Sequence, residues 1–544
     1  MKFAFGVRRA AQPAARKRLR SSASRGAPVL LFFVIVILAL FMGAIVGLDS
    51  PVLVTLFGGA IFVALIFFML NSYQLLLAVF VLTFLVQGSA VYFLSNRQAP
   101  WVVVGLTGLF ALRALMELMF SRTGKVKPDT GTADTGVMVS LLVYAMCFCA
   151  STVLNRPSTA QLIVAIKSSW PMFGVLLAFA WGRWHPERLS RLWWILIVVA
   201  MVQLPVTIYQ HFFISSGRTF AAHDAVVGTF GGNPLGGGNS ALLVMFVIAV
   251  MSYCLALWNR GLMTGLRAGL ICAVCLAVIL LGEVKAAFIW LPIALFFVLR
   301  KRIMKNLLTL IWYGLLALVL GGTIYLTYNA LYWGKQLDSQ HTLSGKLKAG
   351  GGYFFDPNSV SYETGEVGRG ASIAIWAQDH LATTPTRLIG YGPGAVKSGP
   401  GLGAGPLYQR FAPLHVDSIA ISVLLWDLGL IGCLAYVSMI LFGIRAGWRY
   451  IREARGSPLQ MAIVETSTGL LVLFASLLIY NRTLMDDPGS QLLFVFCLSC
   501  ILQIVRFGAQ TDAPPQVRGA QAARYGRAWD KPRQAAASAS APHG

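Results

Sequence analysis

The sequence predicts an all-α integral membrane protein with about 14 transmembrane helices, cytoplasmic N- and C-termini and one large outer loop that contains short helices. Of the 544 residues, 57% are hydrophobic and only 12% are charged, about half the charged fraction of a soluble domain. The apolar residues stand in long runs, and the basic residues cluster between alternate runs. This pattern excludes a soluble enzyme, a disordered chain and a disulfide-stabilised scaffold.

Fourteen apolar segments are predicted to cross the hydrocarbon core, which takes about 20 residues as a helix. They are 28–47, 52–70, 74–93, 101–120, 137–154, 159–181, 192–209, 240–257, 268–281, 286–299, 307–326, 428–444, 460–480 and 490–505. The first segment is too long for a signal-peptide core and lacks a clear cleavage site, so we expect it to be retained as a span.

Basic residues set the predicted orientation. Residues 1–27 contain eight Lys and Arg residues, so this segment is expected to stay in the cytoplasm. If the spans alternate from there, most of the 44 Lys and Arg residues fall in cytoplasmic connections and tails. The net charge of +24 therefore indicates membrane topology. We expect the lipid bilayer, and no nucleic acid, as a partner.

The chain divides into five predicted parts. These are a basic cytoplasmic N-terminus (1–27), spans one to eleven (28–331), a large outer loop (332–413), an interfacial helix with the last three spans (414–505) and a cytoplasmic tail (506–544). The tail is rich in Ala, Gln, Pro and Arg, which predicts disorder. A structureless loop as long as 332–413 would be unusual, so short helices are expected in it, first of all at 373–381.

Cationic side chains on the predicted outer side run against the general charge trend. They include Arg218, Lys285, Arg369, Arg387 and Arg410. Arginine forms bidentate hydrogen bonds to phosphate oxygens and keeps its charge, so arginines that converge near the outer membrane surface would suit a lipid-linked pyrophosphate. The alternative for each one is a solvated loop residue or a side chain that reaches the lipid headgroups.

His415 lies where a helix is predicted to enter the membrane interface. Histidine titrates close to neutral pH and can act as a general base, but a lone histidine is often a hydrogen-bonded structural residue. Asp427 follows in an apolar stretch, where a carboxylate is costly unless it faces protein or water. The glycine cluster at 228–238 lacks the GK[ST] of a nucleotide-binding loop, and no HExxH motif occurs, so we predict no metal and no cofactor.

Three features keep more than one interpretation. Arg113 and Glu117 stand four residues apart within a span, which predicts an ion pair. Lys167 lies in a span without an obvious partner and could serve either the structure or a substrate path. The adjacent acids Asp486 and Asp487 form a weak candidate for a cation site.

The segments GRGASIAIWAQDHLATTPTRLIGYGPGAV and LHVDSIAISVLLWDLGLIGCLAYV resemble the signature of the O-antigen ligase and polysaccharide polymerase superfamily. The positions that carry the resemblance are, in order, Gly368, Arg369, Trp376, Gly390, Gly392, His415, Asp427, Gly429 and Gly432. Upstream, Arg218 followed by GTFGGNP is similar to an earlier outer loop of that family. Lys285 stands where the family often has a second arginine, and Val416 and Ser418 replace the asparagine and the aromatic residue that commonly follow the histidine.

The resemblance implies an inverting, metal-independent membrane glycosyltransferase in the bacterial inner membrane, with its active site facing the periplasm. The donor would be a glycan on polyprenyl pyrophosphate, and a chain-length regulator would be a further partner. Arg218, Arg369 and Lys285 would bind the pyrophosphate and stabilise its charge as it leaves, and His415 would position or deprotonate the acceptor hydroxyl. The remaining predicted substrate-binding residues are Arg387, Arg410, Trp376, Gly390, Gly392 and Asp427.

Two reactions and one different function stay open. A polymerase joins one lipid-linked repeat unit to another, whereas a ligase transfers finished glycan to lipid A core or to protein. The changed residues around His415 and the length of the chain favour the polymerase. A lipid-linked sugar transporter is the third possibility. Transporters usually show two related halves, whereas this chain has a single large outer loop. Its cations are also concentrated on the predicted outer side, which argues against a transport path.

Overall fold

The computed structural model describes residues 64–511, except 65, 97, 121–131, 183, 216–225, 233–238, 283, 332–350, 400–402 and 455. The described residues divide into two units, a first that ends at Asn71 and a second that begins at Ser72. In the described end of the first unit, the Leu70 amide donates to the Ile66 carbonyl at 3.1 Å. The predicted span 28–47, most of 52–70 and Arg218 lie outside the described residues.

The regular secondary structure in the described part of the second unit is helical, apart from one short pair of strands. Its helices are α1 (Ser72–Val81), α2 (Gln87–Leu94), α3 (Ala99–Phe120), α4 (Thr132–Asn155), α5 (Thr159–Ser169), α6 (Pro171–Trp181), α7 (Pro186–Tyr209), α8 (Ser240–Asn259), α9 (Gly265–Gly282), α10 (Ala287–Ile303), α11 (Leu307–Leu331), α12 (Arg369–Gln378), α13 (Thr384–Ile389), α14 (Pro406–Phe411), α15 (Ala420–Glu453), α16 (Pro458–Tyr480), α17 (Thr483–Asp486) and α18 (Pro488–Thr511). The strands β1 (Ser398–Gly399) and β2 (Gly403–Ala404) pair antiparallel. Two π-helical turns, Leu82–Val86 and Gln210–Ile214, follow α1 and α7.

Within the described residues, ten helical segments are long and apolar enough to cross a membrane, as in a multi-pass membrane protein. An eleventh arises if α5 and α6, which meet at a bend of 53°, count as one broken span. Helix α10 has 17 residues and ends in the basic run Arg300–Arg302. The total of fourteen spans stays a prediction.

Several helices extend beyond their predicted bounds, among them α15 and α18. Helix α15 begins at Ala420, eight residues before the predicted span 428–444, and its axis breaks at Gly429, whose φ is 66° and ψ is −166°. Helix α18 continues to Thr511, into the segment predicted as a disordered tail. There, the Arg506 guanidinium donates to the carbonyl of Ala180 and so ties the end of α18 to α6.

The core of the second unit lies around α8, α16 and α18. In α8, 94% of the most apolar window is buried, whereas in α11 only 6% is, so α8 is central and α11 peripheral. Trp193 of α7 stacks on Tyr253 of α8 with ring centroids 4.7 Å apart. Such close packing drives helix association in a bilayer, where lipid tails are as apolar as the side chains.

Two sets of charged side chains on the helices form ion pairs, one of them deeply buried. The predicted pair is present, with Arg113 Nε 3.1 Å from Glu117 Oε1. The Glu465 side chain is only 1% exposed and lies between two guanidinium groups, 2.7 Å from Arg260 and 2.8 Å from Arg300. Because an isolated buried charge is strongly unfavourable, this arrangement links α8, α10 and α16.

Candidate functional site

Three short helices, α12, α13 and α14, lie within the large loop, as predicted, and fold back onto the first turns of α15. The contact is between backbones. A Cβ at Gly390, whose φ is 89°, would lie 2.4 Å from the Asp427 carbonyl oxygen, and one at Gly429 would lie 2.5 Å from the Ile389 nitrogen. The Tyr391 amide donates to the Trp426 carbonyl at 2.8 Å. Glycine at these two positions therefore permits the loop to seat on the broken helix.

Gly390→Ala should lower the free energy of unfolding by about 3 kcal/mol, because it combines a left-handed backbone with a steric overlap. Thermal unfolding of the purified protein in detergent measures this loss. Gly351→Ala is the matched control, since a Cβ at Gly351 meets nothing within 4 Å. Equal unfolding temperatures for the two variants would contradict the tight seating of the loop.

Asp427, predicted to bind substrate, has internal partners in the structure. It is buried, and its Oδ2 accepts a hydrogen bond from the Gly394 amide at 2.9 Å. Its Oδ1 accepts from the Val396 amide at 3.4 Å. The Asp427 carboxylate thereby fixes the turn at 393–396 against α15, and the Gly392 amide donates to the Asp427 carbonyl at 3.2 Å.

Asp379 is the centre of a polar cluster inside the loop. Its carboxylate is 2.6 Å from Arg410 Nη2 and accepts a hydrogen bond from the Tyr391 hydroxyl. Burial alone would raise the pKa of Asp379, but the hydrogen bonds from Arg410 and Tyr391 outweigh it and hold the pKa below its usual value. Burial and the neighbouring carboxylate raise the pKa of Tyr391 to about 12.

The predicted substrate-binding residues Arg387 and Trp376 belong to the same cluster. Arg387 Nη2 donates to the Asp379 carbonyl at 2.9 Å, and its guanidinium lies 5.6 Å from the Trp376 ring centroid. Trp376 Nε1 donates to the Leu425 carbonyl of α15 at 3.1 Å. These contacts connect α12, α13 and α15, and the substrate-binding roles of both residues stay predictions.

The Asp379 cluster predicts a loss of loop stability in acid. Since the folded-state pKa of Asp379 is depressed, its stabilisation is complete above the unfolded pKa of about 3.9 and is lost as the pH falls through the lower folded value. We expect proteolysis within 351–419 to accelerate below about pH 4. Asp379→Asn should remove this pH dependence. An unchanged pH profile in that variant would show that another group titrates.

Arg369 is enclosed by aromatic rings. It is the first residue of α12, and its guanidinium carbon lies 4.9 Å from the ring centroid of Tyr353, 5.0 Å from that of Phe354 and 4.9 Å from that of Tyr480. Tyr480 ends α16. The cation–π contacts therefore hold Arg369 beside the segment 481–487, which connects α16 to α18.

His415 precedes α15 and is exposed. Its amide donates to the Gly365 carbonyl at 2.8 Å, and its ring centroid is 6.3 Å from that of Tyr408. Two residues further on, Asp417 is buried and forms an ion pair with Arg482. Burial raises the pKa of Asp417, although the charge of Arg482 opposes the shift.

The segment 481–487 gathers charges from distant parts of the chain. Arg482 Nε lies 3.0 Å from Asp486 Oδ2, and Lys397 Nζ lies 2.8 Å from Asp486 Oδ1. Burial raises the pKa of Asp486, but Lys397 and Arg482 together lower it below its usual value. Asp486 is therefore ionised at neutral pH and holds both cations in place.

A cavity of about 270 Å³ opens beside this segment. Its lining includes Gln87, Lys167, Phe230, Asn239, Arg482 and Asp487. Lys167 Nζ lies 4.7 Å from the Trp101 ring centroid. The cavity is large enough for a phosphorylated sugar-sized ligand, and its charged lining consists of two cations, Lys167 and Arg482, and two carboxylates, Asp486 and Asp487.

One wall of the cavity is the glycine-rich segment 226–232, which is clamped by two glutamines of the α7 region. Gln203 Oε1 accepts from the Thr229 amide at 2.8 Å, and Gln210 Oε1 accepts from the Gly228 amide at 2.7 Å. The Thr229 hydroxyl donates to the Phe84 carbonyl in a π-helical turn at 2.6 Å. These bonds satisfy backbone groups that would otherwise be buried without partners.

The sequence-predicted residues thus fall into groups. Arg369 and His415 lie near the segment 481–487, whereas Arg387 and Arg410 bond within the loop. Lys285 is exposed in the turn before α10 and is not among the residues that line the cavity. Arg482 was not predicted as a site residue, although a basic residue in a short connection on the predicted outer side is itself a signal against the charge trend.

The described fold and its apolar helices define a multi-pass helical membrane protein. Comparisons with family models and with curated proteins found no match to this chain. A narrower assignment therefore rests on the sequence resemblance and on the geometry of the site.

Proposed function

We propose that this protein polymerises polyprenyl-pyrophosphate-linked oligosaccharide repeat units into O-antigen or exopolysaccharide on the periplasmic face of the bacterial inner membrane. One observation carries the proposal. Cationic residues from separate segments meet in the region of 481–487: Lys167 and Arg482 line the cavity, Lys397 pairs with Asp486, and Arg369 packs on Tyr480. Such a gathering is suited to a ligand with several negative charges.

The proposed reaction is the transfer of a glycan from its pyrophosphate carrier to an acceptor hydroxyl. The acceptor hydroxyl oxygen attacks the anomeric carbon of the donor, and the bond from that carbon to the pyrophosphate oxygen breaks. Lys167 and Arg482, which line the cavity, would stabilise the charge that develops on the leaving pyrophosphate. Arg369, held by Tyr480, would contact the donor or the growing chain beside them. His415 remains a candidate for positioning the acceptor.

A ligase would use the same donor site, and only the acceptor would differ. Transport of a lipid-linked sugar has one specific observation in its favour. Lys167 lies on α5, next to the 53° bend between α5 and α6, and broken helices with polar residues are typical of transporter binding sites. The positions of Arg369 and His415 on the large loop favour a transferase.

We expect Arg369→Ala to reduce polymer at least ~100-fold, because the donor or the growing chain would lose a group that positions it for the transfer. The gene is deleted, and lipid-linked glycans are separated on a gel after complementation with wild type, Arg369→Ala or His415→Ala. Arg302→Ala is a matched control, because Arg302 also stacks on an aromatic ring, Trp258, at 4.3 Å.

The lipid intermediates distinguish the three functions. Accumulation of single repeat units supports the polymerase. Long polymer retained on its polyprenyl carrier indicates a ligase. A normal pattern with Arg369→Ala and His415→Ala, together with failure of Lys167→Ala, would replace the transferase by a transporter.

A further inference from the structure

Asp487 is a buried carboxylate that faces the cavity. It precedes α18, is 6% exposed and lines the cavity together with Lys167 and Arg482. Its Oδ1 accepts a hydrogen bond from Asn239 Nδ2 at 2.9 Å, and its Oδ2 accepts from the Ser490 amide at 2.8 Å. The Gly489 backbone gives the carboxylate a further hydrogen bond. Because a carboxylate has about four lone-pair sites, the group is oriented by these bonds and can still accept a proton.

The charged groups around Asp487 differ from those around its neighbour. Asp486 forms ion pairs with Lys397 and Arg482, whereas Asp487 is in no ion pair among the described residues. Burial, with a smaller contribution from the charge of Asp486, raises the pKa of Asp487 to about 7. Lys167 of α5 lines the same cavity as Asp487 and is, with Arg482, one of its two cations. The two adjacent acids therefore have different chemistry at neutral pH.

We propose that Asp487 is the general base that removes the proton from the acceptor hydroxyl. This inference rests on the proposed glycosyl transfer. As the hydroxyl oxygen bonds to the anomeric carbon, its proton passes to the Asp487 carboxylate. The pyrophosphate leaves with the electrons of the broken carbon–oxygen bond, and its charge is stabilised by Lys167 and Arg482. Asp487 later releases the proton to water.

The geometry favours Asp487 over His415 for this step. His415 is exposed on the loop and is not among the cavity-lining residues, whereas Asp487 shares the cavity with both cations. Asn239 is the positioning residue, since its amide group also donates to the Phe230 carbonyl at 2.9 Å and so fixes the carboxylate relative to the clamped wall.

The test uses purified full-length protein and the single-repeat polyprenyl-pyrophosphate lipid isolated from the deletion strain. Binding of this lipid to the protein is measured from pH 5.5 to 9. The single-turnover rate at which two repeat units are joined is measured separately over the same range. The wild-type rate should rise through about pH 7 and then level off. Asp487→Asn should lower the rate at least ~100-fold, leave lipid binding within about twofold and abolish the rise with pH.

Two further variants keep the test decisive. Asp487→Glu retains a carboxylate and should keep part of the single-turnover rate with a shifted pH profile. This variant tests the assignment even if Asp487→Asn fails to fold. His415→Gln should keep the wild-type pH profile. A wild-type profile in Asp487→Asn, or loss of the pH dependence in His415→Gln alone, would overturn the assignment. If the proposed function itself is wrong, the result is different, because the wild-type protein would then join no repeat units at any pH.

Discussion

Arg482→Ala should reduce glycan polymer in cells at least ~100-fold and cause single repeat units to accumulate. Arg482 lies in the cavity wall and is held by Asp417 and Asp486, so its guanidinium is positioned before the donor binds. Preorganised charge of this kind needs no reorganisation as the pyrophosphate leaves. Gel analysis of lipid-linked glycans in the complemented deletion strain measures the effect.

Two variants separate this role from a general loss of charge. Arg482→Lys should keep a small part of the activity, because lysine retains the charge but lacks the bidentate geometry. Arg449→Ala should behave as wild type, since Arg449 forms a comparable i,i+4 ion pair, with Glu453 at 3.1 Å, on an exposed surface. Full polymer with Arg482→Ala, in a protein present at normal amounts, would remove Arg482 from the donor site.

Glu465→Ala should lower the free energy of unfolding by about 3–5 kcal/mol, the cost of removing one partner from a buried ion pair. The substitution leaves Arg260 and Arg300 close together without their shared carboxylate. We expect a lower unfolding temperature in detergent and a reduced yield of monodisperse protein.

The loss of stability in Glu465→Ala can be compared with the effect of removing an exposed glutamate. Glu453→Ala removes the partner of Arg449, and an exposed pair contributes about 0–1 kcal/mol. Glu465→Gln should fall between the two, since the amide oxygen can still accept from one arginine. Equal unfolding temperatures for Glu465→Ala and Glu453→Ala would mean that the buried pair contributes little to stability.

The helices of this fold could be predicted from the sequence because hydrophobic length is a property of consecutive residues. Helices at the predicted positions of the later spans, the Arg113–Glu117 pair and the short helices in the loop follow from local spacing. The continuity of α15 could not be predicted in the same way. The sequence predicts an interfacial helix from 414 and a separate span at 428–444, whereas the structure joins helix on both sides of Gly429, whose positive φ coincides with the backbone contact to the loop.

The candidate site was harder to predict, because its residues converge from distant segments. Arg387 and Arg410 looked like phosphate ligands as isolated cations, but the sequence does not show that both bond to Asp379. Conversely, Arg482 and Asp487 become candidate site residues only because both line the cavity together with Lys167. Such partners become visible only when the chain is folded, and a motif in one segment does not specify them.

The backbone contact between Gly390 and Gly429 has a consequence for exchanging parts between related proteins. At Gly390 and Gly429 the two backbones meet directly, so no side chain at these two positions can adapt to a new partner. A chimaera that replaces the loop but keeps the helix would join two surfaces that were never matched. The residues from 351 to 432 should therefore be transplanted together, as one interchangeable module with its junctions placed outside that range.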